Sequence, residues 1–375
     1  MTNKKKHILL LASSPKSLVN FRGPLIRDLI ASGHRVSVGA PDINQELREQ
    51  LEEMGATVHE TPLKRTGTGI LADIYYGTVL KRIMARERPD IVLTYTIKPN
   101  IWGAFAASLL GISSVAMVTG LGYAFIENGS ESFRRRFVRG VAQKLYRAAT
   151  NRNRKVIFQN PDDPIDFVAL GCLKDETKIA IINGSGVDLQ HYARTPLPDA
   201  PVFLMIARLL RNKGVTEYGE AALRVLAKYP QARFLLTGPF DEGPDTVTRA
   251  ELDHWVDGGL EYLGPSSDVR NVLAQARIFV LPSYREGTPR SVLEAMATGR
   301  TVITSDAPGC RETVKNGENG FLVPIQNVDA LANAMEYAIN HPEMISRMAE
   351  ASWRLARDRY EVGAVNQTIM RHLGL

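Results

Sequence analysis

Two glutamates, Glu286 and Glu294, flank a Gly-Thr-Pro-Arg-Ser turn that leads into an apolar helical pattern. Apolar runs at 278–282 and 301–304 predict parallel strands before and after this segment. Ligands of open α/β sheets bind at the carboxyl ends of the strands, and a helix start near Arg290–Leu293 would attract an anion. Carboxylates beside a phosphate cradle can accept sugar hydroxyls. The segment therefore predicts a nucleotide-sugar site, and ordinary surface carboxylates are the alternative.

A second group of residues could bind phosphate. Arg208, Lys213 and Gly214 follow the predicted strand at 202–207 and precede a helical pattern. Arginine can hold two phosphate oxygens at once, lysine supplies a compact charge, and glycine lets backbone approach a ligand. A solvated basic turn is the alternative. Gly238, in a turn that ends the next strand, is expected at the same edge.

Length and composition set the class of protein. A chain of 375 residues, 44% hydrophobic and 23% charged, fits two soluble globular domains. Only Cys172 and Cys310 are present, which predicts free thiols in a reducing cytoplasm. Lys4–Lys6 and the apolar run after them imitate a signal peptide, but the run is short and is better interpreted as a first strand.

The stretch from Ile101 to Ile126 carries no charged residue and is about long enough to cross a bilayer. Its glycines and hydroxyl residues favour a buried helix over 99–110, ended by Gly111, and a strand over 112–118. A membrane span is the alternative.

Strand-like and helical patterns alternate along the whole chain, which predicts parallel sheets built from βαβ units. The alternation restarts after turn-rich stretches at 183–188 and 195–201. We therefore predict an α/β protein with two Rossmann-like domains that face each other across a cleft. The domains are expected at 1–185 and 186–355, with a C-terminal helix at about 356–375 that packs back on the first.

The first part of the chain is basic. Residues 1–180 hold 26 Lys and Arg against 17 Asp and Glu, whereas the remainder has a net charge of −3. A helical pattern at 132–149 has an apolar stripe and a largely opposite basic face, which is typical of contact with an anionic membrane. A helix that faces the core with a solvated basic side is an open alternative, and nucleic-acid binding lacks a recognition motif. The stripe and the basic face include Phe133, Phe137, Val141, Leu145, Arg135, Arg136, Arg139 and Arg147.

The runs 205–214 and 262–264, together with the Glu286-x7-Glu294 spacing, resemble the family 4 retaining glycosyltransferases of the GT-B fold. The resemblance covers nearly the whole chain. It implies that Arg208 and Lys213 bind the donor diphosphate, that Glu286 contacts the donor sugar, and that Glu294 holds the ribose. The catalytic set it implies is Arg208, Lys213 and Glu286, and the donor-binding set is Gly238, Gly287, Thr288, Arg290, Ser291, Val292 and Glu294.

The first domain resembles members of this family that extend glycans on a polyprenyl diphosphate, through the runs 20–25 and 119–123. This implies a UDP-sugar donor, with N-acetylgalactosamine as the best expectation. The same fold with UDP-GlcNAc, UDP-galactose or UDP-glucose, or a sugar-nucleotide binder without turnover, stays open. The acceptor-side residues implied are Asn20, Phe21, Arg22, Thr119, Gly120 and Tyr123.

The sequence contains no Asp-x-Asp and no His, Cys or Asp cluster with metal-ligand spacing. We therefore expect no metal and no cofactor, with the leaving diphosphate stabilised by Arg208, Lys213 and a helix N-terminus. Transfer is expected on the face from which the diphosphate leaves, without a protein general base. Such a protein is expected in the cytoplasm, peripheral on the inner face of the cell membrane.

Overall fold

The structure is a computed structural model that describes residues 4–63, 69–121, 133–241, 243 and 245–375, with side chains left out at Ile70 and 133–138. The predicted residue Tyr123 lies outside the described part of the chain. The chain forms two units, Met1–Ser185 with Gly363–Leu375, and Gly186–Val362.

The first unit is built on a parallel sheet of seven strands. Its strands are β1 (His7–Leu11), β2 (Arg35–Ala40), β3 (Thr57–Glu60), β4 (Ile91–Tyr95), β5 (Ser113–Val118), β6 (Lys155–Phe158) and β7 (Ile179–Ile181). They lie in the order β3-β2-β1-β4-β5-β6-β7. Its first seven helices are α1 (Pro15–Asn20), α2 (Gly23–Ala31), α3 (Gln45–Glu53), α4 (Ile70–Glu87), α5 (Ile97–Leu109), α6 (Phe133–Thr150) and α7 (Asp162–Ala169).

The second unit has a parallel sheet of six strands in the order β10-β9-β8-β11-β12-β13. The strands are β8 (Val202–Ile206), β9 (Arg233–Thr237), β10 (Glu261–Tyr262), β11 (Ile278–Leu281), β12 (Thr301–Ser305) and β13 (Gly320–Val323). The helices are α8 (Val215–Leu226), α9 (Arg249–Asp257), α10 (Arg270–Gln275), α11 (Arg290–Ala297), α12 (Val328–Asn340) and α13 (Pro342–Tyr360). A last helix, α14 (Val362–Leu373), buries Val365, Ile369 and Leu373 in the core of the first unit.

The central strands are continuous apolar runs because helices cover both faces of a parallel sheet. β1 and β4 are buried at every position, and β8 is buried at all but its last residue. The predicted α/β class with two parallel sheets is confirmed. Strand β1 forms from the apolar run that imitates a signal peptide.

The charge-free stretch after Ile101 is divided between α5 and β5. Gly111 follows the end of α5 with φ of 66°, the left-handed conformation that glycine adopts without strain. Across the described helices, none combines the length and apolar character needed to span a bilayer. The predicted helix, turn and strand are therefore present in the described part of this stretch.

Candidate functional site

The carboxyl ends of β8 and β11 form the centre of the site in the second unit. These strands are hydrogen-bonded neighbours, and the chain continues from β8 to β9 on one side and from β11 to β12 on the other. This is the topological switch point, where open parallel sheets bind ligands because the loops on either side diverge. Arg208 follows β8 and Glu286 follows β11, so the fold brings the two predicted motifs to one edge.

Lys213 and Glu286 form an ion pair at this edge. The Lys213 Nζ lies 2.5 Å from the Glu286 Oε1, and both side chains are largely buried. The Ser283 hydroxyl donates to the same carboxylate oxygen at 2.9 Å. Two donors therefore fix one Glu286 oxygen, so the ammonium and the carboxylate occupy defined positions.

Two glycines allow the backbone to hold this pair. Gly214, with φ of 75°, follows Lys213, and a Cβ there would lie 2.3 Å from the carbonyl oxygen of Pro282. Gly309, in the loop after β12, has φ of 79°, and its Cβ would lie 2.1 Å from the carbonyl oxygen of Glu286. Any larger residue would push apart the loops that carry Lys213 and Glu286.

A second ion pair lies at the start of α11. The Arg290 Nε donates to the Glu294 Oε1 at 2.7 Å, and Glu294 is buried. Tyr192 lies close to both side chains; burial, followed by the charge of Glu294, raises the pKa of its phenol well above the usual value. The phenol therefore stays protonated and can donate to the carboxylate at any physiological pH. Sequence reasoning missed Tyr192 because it lies between the two turn-rich stretches of the linker.

Arg208 lies nearer to solvent than Lys213. Its guanidinium, 48% exposed, pairs with Asp241, a residue that the sequence patterns do not single out. The close approach of Gly238 supports this corner, since a Cβ at Gly238 would lie 1.7 Å from the carbonyl oxygen of Ala207. Tyr262 donates from its hydroxyl to the Gly238 carbonyl at 2.8 Å. Gly238 therefore packs directly behind Arg208.

The remaining predicted donor-side residues lie between the two ion pairs. Gly287 and Thr288 follow Glu286 in the loop, and Ser291 lies in the first turn of α11. The side chain of Val292 is completely buried in the core, and its amide donates to the Pro289 carbonyl at 3.1 Å. Val292 thus contributes packing beneath the helix start.

The predicted acceptor-side residues of the first unit follow β1 and β5 at the carboxyl edge of its sheet. Asn20 and Phe21 are exposed at the end of α1, and Thr119 and Gly120 follow β5. Arg22 is buried: its guanidinium lies 2.8 Å from the Met117 sulfur and stacks over the Tyr95 ring. We conclude that Arg22 supports the strand ends from beneath.

Two further residues at this edge have no sequence signal. Burial raises the pKa of Tyr95 to about 12, and its hydroxyl lies 3.0 Å from the Ser17 hydroxyl. Thr96, directly after β4, has φ of 72°, which is strained for a β-branched residue. Its hydroxyl donates to Ser13 at 2.9 Å. Strained backbone of this kind often accompanies functional loops.

Helix α6 covers the predicted basic segment. Phe133, Arg135, Arg136 and Phe137 have no described side chains, whereas Arg139 is partly buried and Val141 is 38% exposed. The described buried side of α6 carries Tyr146 and Ala149. Its apolar contact with the core is therefore rotated away from Val141.

Within the described ranges, no three His, Cys, Asp or Glu side chains are grouped so that they could hold a metal ion. Cys172 and Cys310 are both free and buried.

Known proteins match both units. Residues 22–180 match the family described as a glycosyl transferase 4-like domain, and residues 200–341 match glycosyl transferases group 1. The N,N'-diacetylbacillosaminyl-diphospho-undecaprenol alpha-1,3-N-acetylgalactosaminyltransferase of Campylobacter jejuni is 30% identical over 358 residues, 91% of each chain. The UDP-Gal:alpha-D-GlcNAc-diphosphoundecaprenol alpha-1,3-galactosyltransferase of Escherichia coli is 32% identical over 68% of each chain.

Solved structures match the whole chain. Alr3699/HepE of Anabaena in complex with UDP has a TM-score of 0.76 at 22% identity, over 98% of this chain and 99% of that one. At this identity the likeness shows the fold, which is GT-B. Together with the Campylobacter relative, the matches show that the chain belongs to the family 4 glycosyltransferases of the GT-B fold.

Proposed function

We propose that this glycosyltransferase moves an N-acetylhexosamine from a UDP-sugar to a sugar carried on a polyprenyl diphosphate. N-acetylgalactosamine is our first candidate. The pairing of Lys213 with Glu286 at the switch point carries the donor half of this proposal, because it places a cation and a sugar-binding carboxylate side by side. The Campylobacter relative, whose name specifies N-acetylgalactosamine transfer to a diphospho-undecaprenol-linked sugar, supports the acceptor half.

The donor-site charges suit a departing diphosphate. Lys213 lies in the turn after β8, Arg208 lies on the same loop, and α11 begins opposite with no side chain capping its first turn. Two cations and a helix N-terminus can together oppose the negative charge that grows as the sugar–phosphate bond breaks. We therefore assign Lys213 and Arg208 to the diphosphate and Glu286 to the sugar hydroxyls.

The second ion pair, Arg290 with Glu294, is suited to bind the nucleoside. Glu294 is buried and oriented by Arg290, and Tyr192 adds a donor to the same group. A carboxylate with fixed oxygens can accept hydrogen bonds from both ribose hydroxyls, which lowers the entropy lost on binding. We assign Glu294 to the ribose, with Arg290 and Tyr192 as its positioning residues.

We propose retention of the anomeric configuration. The acceptor hydroxyl oxygen forms a bond to the anomeric carbon on the face from which the diphosphate leaves, and its proton passes to the leaving phosphate oxygen. The positive charges of Lys213 and Arg208 supply the stabilisation that this step needs, so we propose metal-independent turnover. Activity that is lost on chelation and restored by magnesium would contradict this part.

UDP-galactose is the second candidate donor, since the Escherichia coli relative is named for it. A screen of UDP-GalNAc, UDP-GlcNAc, UDP-galactose and UDP-glucose against short polyprenyl-diphosphate glycans decides between them. UDP release that requires both donor and acceptor establishes transfer. UDP binding without release for every pair would indicate a binder without turnover.

We place the protein on the cytoplasmic face of the membrane, where a lipid-linked acceptor would be reached. The net positive charge of residues 1–180 and the basic sequence of α6 support contact with anionic lipid. Reversing Arg135, Arg136 and Arg139 to Glu should then weaken sedimentation with anionic vesicles at low salt and leave UDP affinity intact. Unchanged sedimentation of this variant would remove α6 from the contact.

A further inference from the structure

Helix α4 exposes three large apolar side chains at its N-terminal end. Leu71 is 84% exposed, Ile74 is 45% exposed and Tyr75 is 55% exposed. Their spacing of i, i+3 and i+4 places them on one face of the helix. The opposite face is buried through Tyr76, Leu80 and Met84, so the helix is firmly anchored while these three side chains meet solvent.

The same face becomes basic toward the end of the helix. Lys81 and Arg82 are exposed and stand seven residues after Ile74 and Tyr75, two turns along the same side. The acidic residues of α4 are neutralised by basic side chains: Asp73 pairs with Lys98 at 2.8 Å, and Glu87 pairs with Arg35. The face therefore combines apolar and positive groups without an opposing negative charge from its own helix.

This surface lies at the acceptor-side edge of the first unit. Helix α4 follows β3, so its N-terminal end is at the carboxyl edge of the parallel sheet. The pairing of Asp73 with Lys98 fixes that end to the first turn of α5, directly after the strained Thr96. The apolar side chains thus lie at the edge that carries Asn20 and Thr119.

We propose that the α4 face, defined by Leu71, Ile74, Tyr75, Lys81 and Arg82, docks on an anionic lipid bilayer. The apolar side chains enter the interface while Lys81 and Arg82 meet lipid phosphates, as in other amphipathic interfacial helices. The choice of a bilayer as the partner rests on the proposed lipid-linked acceptor. Such docking would bring the carboxyl edge of the sheet against the surface from which that acceptor projects.

Vesicle sedimentation of the full chain tests this surface. We compare wild type with Leu71→Gln/Ile74→Gln, with Lys81→Gln/Arg82→Gln, and with Leu109→Gln as the matched control. Leu109 is 72% exposed and lies at the end of α5, at the opposite edge of the sheet. The vesicles contain phosphatidylcholine alone or with phosphatidylglycerol.

The Leu71/Ile74 variant should lose roughly tenfold in partitioning to both vesicle compositions, because the buried apolar area is lost. The Lys81/Arg82 variant should lose a similar factor only with phosphatidylglycerol, and the control should match wild type. Sedimentation of the Leu71/Ile74 variant at the wild-type level, or an equal loss in the Leu109 control, would overturn the proposal.

The failure of this surface can be told apart from the failure of the proposed function. UDP release with a water-soluble, short-chain acceptor needs no bilayer, so it should be equal in wild type and in the Leu71/Ile74 variant. Release with the long-chain acceptor in vesicles should fall in that variant alone. Equal release from both acceptors would overturn the docking surface and leave the transferase intact.

Discussion

The ammonium group of Lys213 lies 2.5 Å from the carboxylate of Glu286, although 73 residues separate them in the chain. Lys213 arrives from the loop after β8 and Glu286 from the loop after β11, and these strands are neighbours. One contact therefore joins a cation to a carboxylate, the groups that we propose for the phosphate and for the sugar. The assignment of the donor site depends on this contact.

Removing either cation should slow transfer. Lys213→Ala and Arg208→Ala should each reduce kcat by roughly 10²- to 10³-fold, since one stabilising group for the leaving diphosphate is lost. Steady-state UDP release measures the effect. Lys228→Ala is the control, because Lys228 also pairs with a carboxylate, Glu336, at 2.8 Å. Rates within tenfold of wild type for both site variants would contradict the assignment.

Gly309 should be required for the position of Glu286, and Gly317 provides a matched comparison. Both glycines have φ of 79°, but a Cβ at Gly317 meets nothing within 4 Å, whereas at Gly309 it meets the Glu286 carbonyl. Gly317→Ala should lower the free energy of unfolding by about 1 kcal/mol from its backbone conformation alone. Gly309→Ala should cost more and should also reduce transfer.

Chemical denaturation and UDP-release assays of the two variants measure these effects. Equal losses of stability, with full activity in Gly309→Ala, would mean that the contact with Glu286 has no role in the site.

Tyr192 should tune nucleotide affinity. Tyr192→Phe removes the hydroxyl that meets Glu294 and Arg290, so UDP should bind roughly fivefold more weakly, as the loss of one hydrogen bond of about 1 kcal/mol implies. Titration calorimetry with UDP measures the change. Tyr229→Phe is the control, since its hydroxyl accepts from Asn340 away from the site. An unchanged Kd for Tyr192→Phe would contradict a positioning role.

Two buried histidines should make the first unit less stable at mildly acidic pH. Burial lowers the pKa of both His7 and His59. The negative charge of Glu87, which lies 3.6 Å from His59, raises both pKa values but does not offset the effect of burial. The unfolded chain, with a histidine pKa of about 6.5, therefore binds more protons than the folded chain as pH falls. The stability contributed by the two neutral histidines is therefore fully present above about pH 6.5. It is lost as the pH falls from there toward the lowered pKa values of His7 and His59 in the folded protein.

Urea unfolding between pH 7.5 and 5 measures the slope of the free energy of unfolding against pH. The His7→Gln/His59→Gln variant should flatten it, and His254→Gln, at an exposed position, should leave it as in wild type. A free energy of unfolding that rises as the pH falls through this window would contradict the sign.

The strands and the donor motifs could be predicted because both are local patterns. Continuous apolar runs specify buried strands such as β1 and β8, and the residues that follow them must lie at the carboxyl edge of a parallel sheet. The position of Lys213 and Glu286 at one edge of the sheet follows from that rule. Retention, metal independence and the individual roles of the site residues stay predictions.

Other features depend on packing between distant segments and leave no local signal. Asp241 meets Arg208 across the ends of β8 and β9, and Tyr192 reaches α11 from a stretch whose composition indicates only a linker. The buried side of helix α6 also could not be predicted from the sequence pattern alone. A repeat of every fourth residue includes Val141, yet the structure exposes Val141 and buries Tyr146, because the neighbouring core decides which side of the helix packs.

The most direct test is the mass of the product formed from UDP-GalNAc and a polyprenyl-diphosphate-linked glycan. Wild-type protein should add the mass of one N-acetylhexosamine to each acceptor, and Lys213→Ala should form almost no such product under the same conditions. An acceptor of unchanged mass with every UDP-sugar, from protein that still binds UDP, would contradict the account.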